Sequence, residues 1–423
     1  MAEAIVSPGV FQQETDQSFI TPTPVEVGAA IVGPTVRGPV EQPTVVSSFA
    51  DYKNKFGTIF TSGSQNLEFF TSIAVQKFFS NGGNSMLVTR VGSGSFTDAT
   101  STNITASLTA VDPFELKTLG KGTVLNNSTA VGDPGLHYSD GSLHTGSIDN
   151  VRWEISGINK RAGTFNLSIR RGDDNTNNKI ILETFVGCSL DPKAENYISK
   201  VVGDQFATGS LMEGQNSIRI NGDYPNRSKF VRISAVNLPT PDYLLNDGTI
   251  GFDSSNVMYT ASLPQSQSGS FHGATGTNFP TGGSGLLTFE NITTPTDAGA
   301  NSQGLKSSDY TTALNILKNQ DEYRFATLTL PGIYQKDYAG AVAAAVELCE
   351  VRGDCFYIAD MVPYESNVSE VTSEAGELNT NFAGTYWPWV SVPSVELSRN
   401  VWCPASTVMQ GVYAANDKVA APW

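Results

Sequence analysis

Hydrophobic positions run in two different rhythms along this chain. Near the start, Val25 to Val32 predicts a buried strand, with Ala29-Ala30-Ile31-Val32 apolar without a break, and Thr44-Val45-Val46 predicts a second, short one. Ser47 or Ser48 can cap a short helix carrying Tyr52 and Phe56, which Gly57 stops. Over 66–80 a helical stripe of Leu67, Phe70, Ala74 and Phe78, with Ile73 beside it, ends at Asn81-Gly82-Gly83, and Met86 to Val91 follows as a strand. The same rhythm returns after 302. Tyr310 to Leu317 is a predicted helix, and Phe325 to Leu330 a buried strand ending at Pro331-Gly332. Gly340 to Cys349 is an alanine-rich helix and Cys355 to Asp360 the next strand. Strand, helix, strand in that order predicts a parallel βαβ unit with a right-handed crossover.

Between 93 and 301 the pattern changes to short alternating runs among Ser, Thr, Gly and Asn. Arg152 to Ile155, Phe165 to Arg170 and, in part, Ile180 to Phe185 have period two, and Arg171-Gly172-Asp173-Asp174-Asn175 reads as a hairpin connection. Tyr197 to Val202 reads as a short helix, Phe230 to Ser234 as a strand, and 262–286 as a low-complexity loop. The fold class expected is α+β multidomain: a discontinuous α/β core domain with a β-rich inserted region. Residues 1–20 form an extended arm, 21–92 plus 302–423 the core, and 93–301 the insertion, with room for two subdomains.

Composition agrees with many turns and sets limits on function. The 423 residues include 40 Gly and 21 Pro, and only 16% are charged. With 26 basic against 41 acidic residues the net charge is −15, which argues against direct nucleic-acid binding. The small basic group Lys160-Arg161 with Arg170-Arg171 reads as a solvated or ion-paired strand face. Met1 to Ile5 predicts no signal peptide, no apolar run is long enough to span a bilayer, and four scattered cysteines make no disulfide framework. A soluble protein made in a reducing cytoplasm is the simplest expectation.

Candidate chemistry is thin. Cys349 and Cys355 lack a zinc-type spacing and a nearby His, so they read as buried free thiols. His137, His144 and His272 all fall in the middle region without a third ligand cluster. Asp173-Asp174-Asn175, and Asp242 with Asp247, suggest calcium, but turn chemistry explains them more simply. The Arg-Gly-Asp tripeptides at 171–173 and 352–354 are too short to inform. No phosphate loop, dinucleotide fingerprint, EF-hand or nucleophile elbow occurs, so no catalytic, cofactor or metal residues are assigned. Tyr386-Trp387-Pro388-Trp389, with Trp402 and Trp423, reads as a core or domain-interface cluster, a sugar-stacking platform being the sharper alternative.

A set of ordered short motifs brings these elements together. Ser7-Pro8-Gly9-Val10 is followed by Val32-Gly33-Pro34-Thr35-Val36-Arg37-Gly38-Pro39, by Phe56-Gly57, by Phe78 to Gly83 and by Met86 to Val91. Late in the chain stand Leu348-Cys349-Glu350 through Asp360, then Tyr386 to Trp389, Pro404 to Ser406 and Gly411 to Asp417. In this order, over roughly half the chain, they resemble the contractile tail sheath proteins of bacteriophages and related injection machines. The middle region carries little of the resemblance.

The resemblance implies a structural subunit, not an enzyme, with no cofactor. When full length, such subunits stack helically as hexameric rings around an inner tail tube protein, between baseplate and tail terminator proteins, and contract to drive the tube through the host envelope. They are assembled in the host cytoplasm and reside in the virion tail, without direct nucleic-acid binding or membrane insertion. The arm residues Ile5, Val6, Val10 and Phe11 would add a strand to a neighbour's sheet edge. Sheath proteins continue past the Ala-Pro-Trp region, so the chain is expected to be C-terminally truncated at Trp423. The competing expectation is a β-rich virion or surface protein that binds a receptor or glycan.

Overall fold

The structure is a computed structural model that describes residues 28–419 apart from 63–64, 107–110, 129–134, 136, 213–214, 245–257, 277–304 and 306. The first stretch gives β1 (Ala29–Gly33), β2 (Thr44–Val46), α1 (Phe49–Phe56), β3 (Ile59–Ser62), β4 (Gln65–Glu68), α2 (Phe70–Ser80) and β5 (Met86–Arg90). The middle gives β6 (Asp98–Ser101), β7 (Phe114–Lys121), β8 (Val151–Asn159), β9 (Thr164–Arg171), β10 (Ile181–Ser189) and α3 (Ile198–Val202). It continues with β11 (Phe206–Met212), β12 (Gln215–Asn221), β13 (Val231–Val236), α4 (Met258–Ser262), β14 (Gln267–Gly269) and β15 (Phe271–His272). The last stretch gives α5 (Ser307–Ile316), β16 (Thr327–Tyr334), α6 (Gln335–Arg352), β17 (Phe356–Asp360) and α7 (Val368–Glu377). It ends with β18 (Ala383–Thr385), β19 (Val390–Ser394), β20 (Arg399–Cys403) and α8 (Ser406–Val419).

One six-stranded sheet, ordered β18-β17-β16-β1-β5-β2, joins the two ends of the described chain. It is parallel except for β2, which runs antiparallel to β5. Its central strand β1 is buried throughout, as expected where both faces are covered. Alternate residues face opposite ways. Ala30, Val32 and Leu87 join the cluster formed with α5 and α6, while Ala29, Ile31, Met86 and Val88 join Tyr52, Phe56, Ala74 and Phe78 of α1 and α2.

The middle region forms two four-stranded antiparallel sheets, β10-β9-β8-β14 and β13-β7-β6-β15, whose inner faces share one apolar core. Phe114 of one sheet stacks on Phe165 of the other at 5.5 Å. The fold is thus α+β and multidomain, with a discontinuous α/β core interrupted by β structure.

Two buried arginines fasten the inserted region to the core. Arg90 donates to the Gly38 carbonyl at 2.7 Å and the Lys121 carbonyl at 2.8 Å, and lies over the Phe96 ring. Arg37 donates to the Asp149 carbonyl at 2.9 Å and to the last carbonyls of α1, Lys53 and Asn54, each at 3.2 Å. Gly38 has φ +111° and presses on Phe56, so a side chain there is excluded twice over.

Four elements differ from expectation. Leu67 is not helical: β4 pairs with β3 (Phe60 opposite Leu67), and Leu67 packs with Val36, Phe60 and Phe69. The helix begins only at Phe70, after Phe69 in extended backbone. Strand β16 continues through Pro331-Gly332 to Tyr334, because its pairing with β17 skips from Thr329 to Tyr334 and needs no N–H from the proline. The stretch read as a loop from 262 holds β14 and β15, each pairing one of the middle sheets. The alanine-rich helix starts at Gln335 and is kinked at Tyr338.

Candidate assembly interface

Strands β19 and β20 form an antiparallel hairpin near the end of the described chain, with Val392 opposite Val401. Period two divides its residues. Val392, Val401 and Cys403 turn into the core, where Trp389 also lies, 6.0 Å from the Phe70 ring and 5.9 Å from that of Tyr334. The Trp389 indole N–H donates to the Val362 carbonyl at 3.1 Å, which satisfies its buried donor.

The outward positions are Ser391, Pro393, Asn400 and Trp402, and exposed apolar side chains also stand just before β19, at Trp387, and in the hairpin turn, at Val395. Trp402 is 44% exposed, Trp387 43% and Val395 69%. Tyr364 bridges inside and outside, 5.4 Å from Trp389 and 5.5 Å from Trp402. Tyr386 shares a hydroxyl contact with Tyr413 of α8, beside exposed Val412. Among the described residues no third strand pairs with either β19 or β20. Strand edges left unpaired among the described residues are the kind of surface that strand addition from another chain uses.

Helix α8 anchors this region to the sheet. Gln410 is buried and donates to the Ala30 carbonyl at 2.9 Å, while accepting from Thr329 at 3.2 Å. Gly411 lets α8 close on α2: a Cβ there would stand 2.8 Å from the Lys77 carbonyl oxygen. At its start, the Ser406 N–H and hydroxyl both donate to Asp360, at 3.2 and 2.5 Å. Burial pushes the Asp360 carboxyl up to about 7 against these bonds.

The predicted arm residues Ile5, Val6, Val10 and Phe11 lie outside the described residues. The aromatic run Tyr386 to Trp389 is divided, with Trp389 in the core and Tyr386 and Trp387 outside, and Trp423 lies outside the described residues. Sequence reasoning missed the hairpin, whose edges are unpaired among the described residues, and the alternation Val390, Val392 and Val401 with Trp402 was the signal that could have found its strands.

The remaining candidates have structural partners. Cys349 and Cys355 are buried free thiols with Sγ atoms 3.3 Å apart. Asp174 holds Arg170 at 2.7 Å and Arg152 at 3.4 Å, Asp173 pairs with Arg171, and Asp242 with Lys193 at 2.7 Å; Asp247 lies outside the described residues. The basic group is therefore in part an ion-paired face, with Lys160 and Arg161 exposed at the β8–β9 turn. Arg352 of the second Arg-Gly-Asp is buried and pairs with Asp354 at 2.8 Å. His144 stacks on Tyr138, His137 Nδ1 is 3.3 Å from the Gly141 carbonyl, and His272 is buried in β15, where desolvation lowers its pKa. Among the described residues no group of three or more His, Cys, Asp or Glu is placed to hold a metal.

No known family model matches the chain, and no curated protein does. Among solved structures, a sheath tail protein from Listeria innocua is similar with a TM-score of 0.44 and 11% identity, over 93% of this chain and 57% of that one. A sheath tail protein from Desulfitobacterium hafniense is similar with a TM-score of 0.41 and 11% identity, over 96% of this chain and 62% of that one. The chain thus spans less than two thirds of the length of either protein. Likeness this loose leaves the functional reading to the chain's own residues.

Proposed function

We propose that this protein is a subunit of a contractile tail sheath, built to polymerise around an inner tube and to transmit force. The observation that carries the reading is the β19–β20 hairpin, with open edges among the described residues and Trp387 and Trp402 exposed beside it. A neighbour's arm, with Ile5, Val6, Val10 and Phe11, supplies β-forming side chains suited to such an edge. Backbone pairing of this kind tolerates rotation between subunits, since the ladder is independent of side-chain register. The ordered motifs of the two chain ends support the same reading. Their glycines and arginines occupy close-packed positions: Gly38 against Phe56, Gly411 against Lys77, and Arg37 and Arg90 across the insertion boundary.

On this reading residues 1–20 are the arm, 21–92 with 302–423 the core, and 93–301 a decorated outer insertion. The partners are further copies in hexameric rings, a tube protein, and the baseplate and terminator at the tail's ends. No catalysis is required, because the energy of contraction comes from subunit contacts.

Negative-stain microscopy of the purified chain, alone and with a tail tube protein, tests the proposal. Rings or tubes of uniform diameter are expected, and they are expected to be lost when Ile5 and Phe11 are replaced by Asp. A chain that stays monomeric with tube protein at every concentration sinks it. The exposed Trp387 and Trp402 also suit a sugar-binding face. Saturable binding on a glycan array, without assembly, would favour that second reading.

A further inference from the structure

Between the core and the inserted region opens a cleft of about 630 Å³ whose charge departs from that of the chain. Lys55 of α1 stands on the core side. Lys121 of β7, Arg232 of β13, and Arg227 and Lys229 from the loop before β13 stand on the other. Against these five cations the lining holds two acids, Asp51 and Asp98. In a chain with 26 basic and 41 acidic residues, the cleft is an island of the minority charge.

Pairs inside the cleft leave part of this charge uncompensated. Asp51 is shared between Lys55 at 2.8 Å and Lys229 at 3.5 Å. Arg232 holds Asp98 at 2.8 Å and lies over the exposed ring of Phe206, 4.5 Å from its centre. The exposed Arg227 guanidinium has no ion pair or hydrogen bond among the described residues.

A complementary surface exists on the same chain. Helix α7 carries Glu370, Glu374 and Glu377 at i, i+4 and i+7, hence on one face. Lys336 is the cation beside the row, 3.4 Å from Glu370. Desolvation, and then the charge of Glu377, push the Glu374 carboxyl up, with Asp337 adding to the effect. Helix α7 packs on α6, whereas the cleft is built from α1, β6, β7, β11 and β13 and their flanking loops.

We propose that the cleft is a docking site for a second copy of this chain, and that the acidic face of α7 is what enters it. The contact is head-to-tail. Each copy offers one cleft and one acidic face, so the contact repeats from copy to copy instead of using one surface twice. Copies carrying −15 repel one another at long range, and a local pairing of opposite charges sets the register at which they can meet. The space suits the side chains of one helix face, not a folded domain. The inference rests on the reading that the chain assembles with itself, and adds which surfaces meet.

Sedimentation velocity of the full chain across salt and protein concentration, with microscopy of the same samples, tests it. Association is expected to weaken as salt rises. The pair Arg227→Glu with Lys229→Glu, and the pair Glu374→Lys with Glu377→Lys, are each expected to weaken it about tenfold or more. A chain carrying all four changes is expected to recover association, because the same contact returns with its signs exchanged. Recovery is a result that misfolding cannot produce. Wild-type association in the cleft variant, or a four-site variant no stronger than its parents, overturns the proposal. Regular tubes that survive the cleft changes overturn the docking site and leave the assembly reading standing; no association under any condition overturns both. A single-stranded DNA probe that fills the cleft while copies stay apart assigns it to another partner and also overturns it.

Discussion

The Glu68 carboxylate accepts a hydrogen bond from the Ser394 hydroxyl at 2.5 Å, tying the end of β4 to the end of β19. Glu68 is buried and accepts also from Ser72 at 2.7 Å. Burial pushes its carboxyl up, and the two serine hydroxyls partly offset this. Ser394 in turn accepts from the Leu397 N–H at 3.1 Å, which fixes the turn of the hairpin. Lys77 holds the Pro393 carbonyl at 2.7 Å and Lys53 holds Glu396 at 2.6 Å. The position of the candidate assembly hairpin is thus set by contacts from α1, α2 and β4.

Replacing Glu68 by Ala strands two buried hydroxyls and frees the turn. The expected loss is about 1–3 kcal/mol in urea unfolding. Hydrogen exchange should rise in β19 and β20 more than in β1, and a uniform rise would show that Glu68 does not act through the hairpin.

Arg90 should be costly to remove. Burial brings its guanidinium pKa down to about 9, no carboxylate pairs with it among the described residues, and it is held by the Gly38 and Lys121 carbonyls. Arg90→Met keeps the bulk but takes this donor from the Lys121 carbonyl and leaves the Gly38 carbonyl with the Lys121 N–H at 3.1 Å. A loss of about 2–4 kcal/mol is expected, with faster proteolytic release of the inserted region. Unchanged proteolysis would mean that Arg90 does not fasten the two parts.

Much of the core was legible because its strands are buried on both faces and therefore read as unbroken apolar runs, as at Ala29 to Val32. Where one side chain fits two patterns, the sequence misled: Leu67 falls in phase with the α2 stripe, yet its neighbours are Val36 and Phe60. Pro331 looked like a strand end because only pairing reveals that its missing N–H is not needed. Strands β14 and β15 are too short for periodicity to show. The basic cleft could not be read at all, since Lys55, Lys121, Arg227, Lys229 and Arg232 meet only when the insertion docks on the core.

All four cysteines are buried as free thiols, and burial pushes Cys188 up to about 12. Ellman's reagent is expected to find almost no reactive thiol in the native protein and four after unfolding. Rapid labelling of the native protein would contradict the packing around Cys349, Cys355 and Cys403. Elemental analysis is expected to find no stoichiometric zinc, since among the described residues no further ligands are placed to complete a site with Cys349 and Cys355.

Asp360 gives the protein a pH dependence of definite sign. Its carboxyl is buried and raised to about 7, whereas in the unfolded chain it titrates near the ordinary value of about 4. Between those values the native state holds a proton that the unfolded state has released. The stabilisation from this site is therefore complete below about pH 4 and lost as pH rises through about 7, at a slope of roughly 1 kcal/mol per pH unit. Asp360→Asn keeps an acceptor for Ser406 but cannot ionise, so this slope should vanish from it. Urea midpoints for both proteins at intervals from pH 5 to 8 decide the matter. Wild type should lose ground against Asp360→Asn as pH rises, and parallel curves would show that Asp360 is ionised throughout or that the start of α8 does not depend on it.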